Sequence, residues 1–243
     1  QVTTFISDLP LICENFRQYD RLHGLIDVLT FPKFLTEIAA RISSEIDAKE
    51  IFGSDKKHIR NFYSLLSLYP RDEDDNVSAI RSCPILAGHD RFLSPDVAVL
   101  PGGFTDPVGR FDTLDVSYFD DRSKTFLTDI LSVQVLTLES YVTDHLEDIL
   151  ASGLDEPTYV ALIEHLADHR ELLDNDEAVS TLSSLELART VDGQMRKPKD
   201  CYFKTKELSE ILGNDESLWV DTSLFGPVQK DLIALFLSHL GMR

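Results

Sequence analysis

The chain repeats itself about once every hundred residues, and in the same order each time. Val28-Leu29-Thr30-Phe31 recurs as Val135-Leu136-Thr137-Leu138. Asp75-Asn76-Val77-Ser78-Ala79-Ile80 recurs as Glu177-Ala178-Val179-Ser180-Thr181-Leu182. Arg91-Phe92-Leu93-Ser94-Pro95 recurs as Gln194-Met195-Arg196-Lys197-Pro198. Phe126-Leu127 through Leu131-Ser132-Val133 recurs as Phe236-Leu237 through Leu240-Gly241-Met242. Self-similarity at a fixed period means one supersecondary unit copied along the chain, and such units build length and surface more often than chemistry. The expected division is a lead-in or module end over 1–27, a first module over 28–134 and a second over 135–243. The chain thus reads as an excised region of a longer polypeptide.

The hydrophobic pattern within each copy is mostly helical. Thr30 and Pro32 can start a helix that carries Phe34, Leu35, Ile38, Ile42 and Ile46 on one face. Ser54 or Asp55 can cap a second, with Ile59, Phe62, Tyr63 and Leu66 inward. A third, with acidic residues Asp72 to Asp75 at its positive end, carries Val77 and Ile80. The period then shortens. Ile85 to Ala87 and Arg91 to Leu93 around Gly88-His89-Asp90 read as a β-hairpin closed by Pro95. Leu185 to Val191 and Gln194 to Arg196 read likewise around Asp192-Gly193, a pair that tolerates positive φ at both central positions. Val116 to Asp120, matched to Leu218 to Asp221, reads as a third short strand.

Copy two adds a compact helix from Thr205 to Leu212, stopped by Gly213. Thr137, Asp155 and Pro227 each open further helices. The expected fold class is α+β: helix-dominated tandem modules, each with several helices and a small antiparallel sheet. Phe126, Leu127, Ile130, Leu131, Val133 and Val135 lead into the helix at Thr137 without a flexible spacer and are expected to form a shared junction core.

At the hairpin, proline and closing helix the chain resembles a known family. Pro84-Ile85 with Gly88, Arg91, Pro95 and Val97, and Asp192-Gly193 with Arg196-Lys197-Pro198 and Asp200, resemble a recurring motif of sacsin-type proteins. Leu235 to Arg243 resembles that family's closing helix, and Leu136-Thr137-Leu138 to His145-Leu146 its opening one. The resemblance covers about 28–243. It implies a large cytoplasmic or nuclear protein with a gyrase/heat-shock-chaperone type ATPase domain followed by such modules, and a scaffold or chaperone-like role for this region. The ATPase itself looks absent, since no Asp-x-Gly-x-Gly loop and no P-loop occurs in the chain.

Composition narrows the partners. The net charge of −19 repels nucleic-acid phosphates and anionic lipid. It favours basic protein partners, or serves only to keep an assembly soluble. Cys13, Cys83 and Cys201 are odd in number and widely spaced, as expected of buried free thiols in a reducing, intracellular compartment. No run approaches the ~20 apolar residues that span a bilayer. No cofactor is expected.

Three constellations invite chemistry. His165 and His169 stand four apart on a helix, where two imidazoles can share a metal, and His145 could complete a hydrolase site. The zincin arrangement needs Glu directly after the first His, and that position is Leu166. A polar helix face explains the pair without a metal. Asp72 to Asp75 and Asp174 to Glu177 lack the Gly and bidentate Glu of an EF-hand and read as helix starts. His89-Asp90-Arg91 with Ser94 offers triad residue types at a hairpin tip, but copy two has no His there, as expected of a variable loop. The chain is therefore expected to be a non-catalytic protein-interaction region. A metal-dependent hydrolase and an acidic adaptor for a basic protein are the alternatives.

Overall fold

The computed structural model describes residues 31–53, 55–68 and 77–242. It is helix-dominated and mixes α and β, as the pattern predicts. Contacts divide it into two compact units. The first holds the described residues up to Gly102 together with Phe111–Leu136. The second holds Gly103–Arg110 with Thr137 onward.

In the first unit, α1 (Phe31–Arg41) and α2 (Glu45–Phe52) replace the single helix expected through Ile46. The break is built by Ser44, whose hydroxyl accepts the Asp47 amide while the Asp47 carboxylate accepts the Ser44 amide. This reciprocal cap starts a new helix in place of a continued one. It rotates Ile46 out of the apolar face, where it stands 70% exposed. Asp55 caps α3 (Lys56–Leu66) through the Lys57 amide, and Ile59, Phe62, Tyr63 and Leu66 are buried as their spacing predicts. Thr30, Ser54 and the acidic run Asp72 to Asp75 lie outside the described residues. A short α4 (Ser78–Arg81) follows, with Val77 and Ile80 inward.

The hairpin pairs β1 (Leu86–Ala87) with β2 (Phe92–Leu93). A parallel three-stranded sheet, unforeseen in the sequence, adds β3 (Ala98–Pro101) between β4 (Asp112–Thr113) and β5 (Gln134–Leu136). It escapes the periodicity because its strands are two to four residues long and β3 is almost wholly buried, so no alternation shows. The Leu114 amide bonds Val99 O and the Asp115 amide bonds Ala87 O, which joins hairpin to sheet.

Val116–Tyr118 is a 3-10 turn, not the expected strand. The alternation of Val116, Ser117 and Tyr118 imitates a strand, but the Asp115 carboxylate accepts the Ser117 amide and curls the backbone. Then α5 (Asp121–Asp129) closes the unit. Phe126, Leu127, Leu131 and Val133 enter the first unit's core, whereas Val135 is 39% exposed. Each such buried side chain contributes roughly 1.5–3 kcal/mol.

The second unit begins with one helical run of three segments: α6 (Leu138–Ser140), a π-helical stretch Tyr141–His145, and α7 (Leu146–Ala151). Next come α8 (Glu156–Asp168), a 3-10 turn (Arg170–Asp174) and α9 (Asp176–Ser184). Asn175 caps α9 through the amides of Glu177 and Ala178, so the acidic run Asp174 to Glu177 is a helix start.

The hairpin pairs β6 (Ala188–Arg189) with β7 (Met195–Arg196). Of its turn pair only Gly193 has positive φ. Asp192 instead uses its carboxylate to hold the Thr190 hydroxyl and the Gln194 amide. Then follow α10 (Lys206–Leu212), 3-10 turns at Glu216–Leu218 and Thr222–Leu224, and α11 (Pro227–His239). No helix among the described residues is long and apolar enough to cross a membrane.

Several hydrogen bonds of the two units correspond. Val220 N to Tyr202 O and Asp221 N to Arg189 O repeat Leu114 N to Val99 O and Asp115 N to Ala87 O. Asp221 then caps its turn through Ser223 as Asp115 does through Ser117. Leu218 to Asp221 therefore corresponds to the strand region ending at Asp115, not to Val116 to Asp120 as the sequence alignment suggests. The true match of the latter is Asp115-x-Ser117-x-Phe119 with Asp221-x-Ser223-x-Phe225. The segment between these bonded strands is longer in the second unit, where α10 lies.

Candidate functional site

A cluster of perturbed titratable side chains away from a simple helix cap lies in the second unit, around His165. Asp155 caps α8 through the Thr158 amide, and Pro157 sits in its first turn. Tyr159, Leu162, Ile163 and Leu166 fill the inward face, which leaves His165 half-buried at the margin and His169 at the C-cap. The two rings meet edge to face, 4.7 Å between centroids. His169 Nδ1 lies 2.7 Å from Glu171 Oε1, and that hydrogen bond holds the Glu171 carboxyl below its usual range.

The other wall comes from elsewhere in the chain. Phe104, 5% exposed, packs at 4.8 Å from Tyr141, 5.3 Å from His165 and 6.4 Å from His169. The π-helical stretch carries one extra residue per turn and buries Tyr141 completely. Burial, with the Asp106 carboxylate facing its hydroxyl, keeps Tyr141 neutral far above the usual tyrosine range. Asp106 also accepts the Val108 and Arg110 amides of its own loop, and Arg110 Nη1 donates to Asp148 O at 3.1 Å.

His165 has its pKa lowered, first by burial and then by His169, with Asp168 and Asp106 opposing. Its Nε2 is buried and makes no hydrogen bond. This is a half-buried imidazole packed edge to face against an aromatic ring. Two concavities among the described residues are lined by other residues. One, of about 340 Å³, runs between Arg170, Leu173 and α11 at Leu232, Leu235 and His239. The other, of about 430 Å³, lies in the first unit between Leu68 and α5 at Arg122, Phe126 and Asp129.

The sequence foresees two of the cluster's members and misses the rest. No three His, Cys, Asp or Glu side chains among the described residues form a metal-ligating group, so His145, His165 and His169 do not assemble as a ligand set. His145 ends the π-helical stretch half-buried. Phe104, Asp106 and Tyr141 escaped the sequence reading because they are remote in sequence from the histidines. The available signal was a large aromatic in the Gly- and Pro-rich stretch Pro101 to Gly109, where loop residues rarely need one. At the other hairpin tip, Arg91 is committed to both oxygens of Asp112 at 2.6 Å, and His89 and Asp90 are exposed. Comparison with family models, with characterised proteins and with solved structures finds no match for this chain.

Proposed function

We propose that the chain is a pair of tandem modules acting as a non-catalytic, chaperone-like protein-interaction region of a larger sacsin-like protein, with basic or unfolded basic proteins as its partners. The observation that carries this reading is that the first hairpin strand of each unit is held by matching backbone bonds and leads to a matching Asp-x-Ser capped turn. Duplicated architecture of this kind supplies surface, and the repeated groups are spent on holding backbone together. The net charge of −19 supports attraction of cationic partners.

A holdase assay tests it. The purified chain should suppress aggregation of reduced lysozyme, a basic client, at near-stoichiometric ratio and without nucleotide. Protection should weaken as salt rises through the range where the Debye length shrinks from about 10 to 3 Å. An acidic client such as reduced α-lactalbumin should be protected less. Equal aggregation with and without the chain, or protection indifferent to client charge and salt, defeats the proposal.

A further inference from the structure

We propose that His165 and His169 form a pH-operated latch on the 103–110 loop of the second unit, holding it while His165 is neutral and releasing it in mild acid. This goes beyond the scaffold reading and does not depend on it.

Phe104 is the loop's single deeply buried aromatic side chain, and the edge of the His165 ring forms part of its seat. Arg110 adds a hydrogen bond to Asp148 O, and Asp106 bonds the Tyr141 hydroxyl as well as two amides of the loop itself. The seat is therefore sensitive to the state of the imidazole beneath it. A protonated imidazole has two N–H donors. In the closed arrangement the His165 Nε2 position is buried with no acceptor, so the second proton would be orphaned.

Every charged or titratable group facing the site bears on this. From the same helix, His169 opposes a charge on His165 and Asp168 favours it. From the loop, Asp106 favours it, yet its carboxylate is engaged with the loop amides and faces Tyr141. From the helical run, Tyr141 is held neutral and offers no counter-charge. Glu171, on the turn after α8, is engaged with His169. Burial and His169 outweigh the two aspartates, and the folded-state pKa of His165 lies below its ordinary 6.5. Opening the loop frees His165 to take a proton. The opening constant should then rise as pH falls below 6.5, with a ceiling of about tenfold at pH 5.5 relative to pH 7.5.

Hydrogen exchange of the full chain reads this directly. Exchange of peptides covering 103–110, divided by the intrinsic chemical rate at each pH, should show that rise. In His165→Phe, which keeps a ring and cannot titrate, loop opening should be the same at both pH values. If that variant does not fold, as judged by circular dichroism, His165→Gln provides the same test. Wild-type protection unchanged between pH 7.5 and 5.5 overturns the latch. So does an equal rise in the variant, which would assign the pH dependence to other groups.

Discussion

Tyr63 and Tyr159 do the same work in the two units. The Tyr63 hydroxyl donates to Ile85 O at 2.9 Å and accepts the Ala87 amide at 2.7 Å. The Tyr159 hydroxyl donates to Leu187 O at 3.1 Å and accepts the Arg189 amide at 3.2 Å. Each satisfies two backbone groups of the first hairpin strand, from a helix packed against it. Burial drives both phenols up, Tyr159 to about 12.

Removing either hydroxyl strands a buried donor and acceptor. Tyr63→Phe should destabilise the chain by about 1–3 kcal/mol in urea titration. Tyr159→Phe should cost less, because its bonds are longer and Arg189 is only partly buried. A Tyr63→Phe variant as stable as wild type would show that the hydroxyl bonds contribute nothing net.

Leu131 is 1% exposed within the first unit's core. Leu131→Ala should cost about 2–5 kcal/mol, by lost burial and the cavity left behind. Val135→Ala, at a 39% exposed position, should cost well under 1 kcal/mol. Comparable losses for the two would contradict the assignment of Leu131 to the core and Val135 to the surface.

Ser132 is the one non-glycine among the described residues with positive φ, at 55°, and it follows the closing helix of the first unit as Gly241, at 98°, follows that of the second. Ser132→Gly should raise thermal stability by up to about 1 kcal/mol, since it relieves a strained side-chain residue in left-handed backbone. Gly241→Ala should lower it by about 1–2 kcal/mol. Opposite signs in calorimetry would refute the shared geometry.

Acid should weaken the chain through its caps. The Ser123 hydroxyl and amide, each 2.7 Å from Asp120 Oδ1, hold that carboxyl below 3.8. At Asp115 burial acts upward, but Ser117 and Lys56 outweigh it and the net direction is again down. A depressed carboxyl contributes stability above its unfolded pKa and loses it as pH falls through the folded one. Asp120→Ala should therefore cost about 0.5–2 kcal/mol at pH 7 and progressively less below pH 4. A penalty constant from pH 7 to pH 2 would mean that the cap acts without its charge.

Helix starts and stops were legible because they are local chemistry. Asp55, Thr137, Asp155, Asn175, Thr205 and Pro227 stand where cap and first-turn residues must, and each opens its helix. Both hairpins were legible from a change of period flanked by Gly. The sequence pattern sets Val116 to Asp120 against Leu218 to Asp221, whereas the capped turns match Asp115 to Phe119 with Asp221 to Phe225. What the sequence could not decide depends on groups far apart along the chain. The parallel register of β3 rests on backbone bonds that leave no side-chain pattern. The break at Ser44 was open to reading in principle, as a capping box, but apolar spacing through Ile46 masked it. The seat of Phe104 against His165 exists only because tertiary packing buries a loop aromatic beside a helix margin. Burial, not residue type, makes that imidazole differ from the histidines left in water.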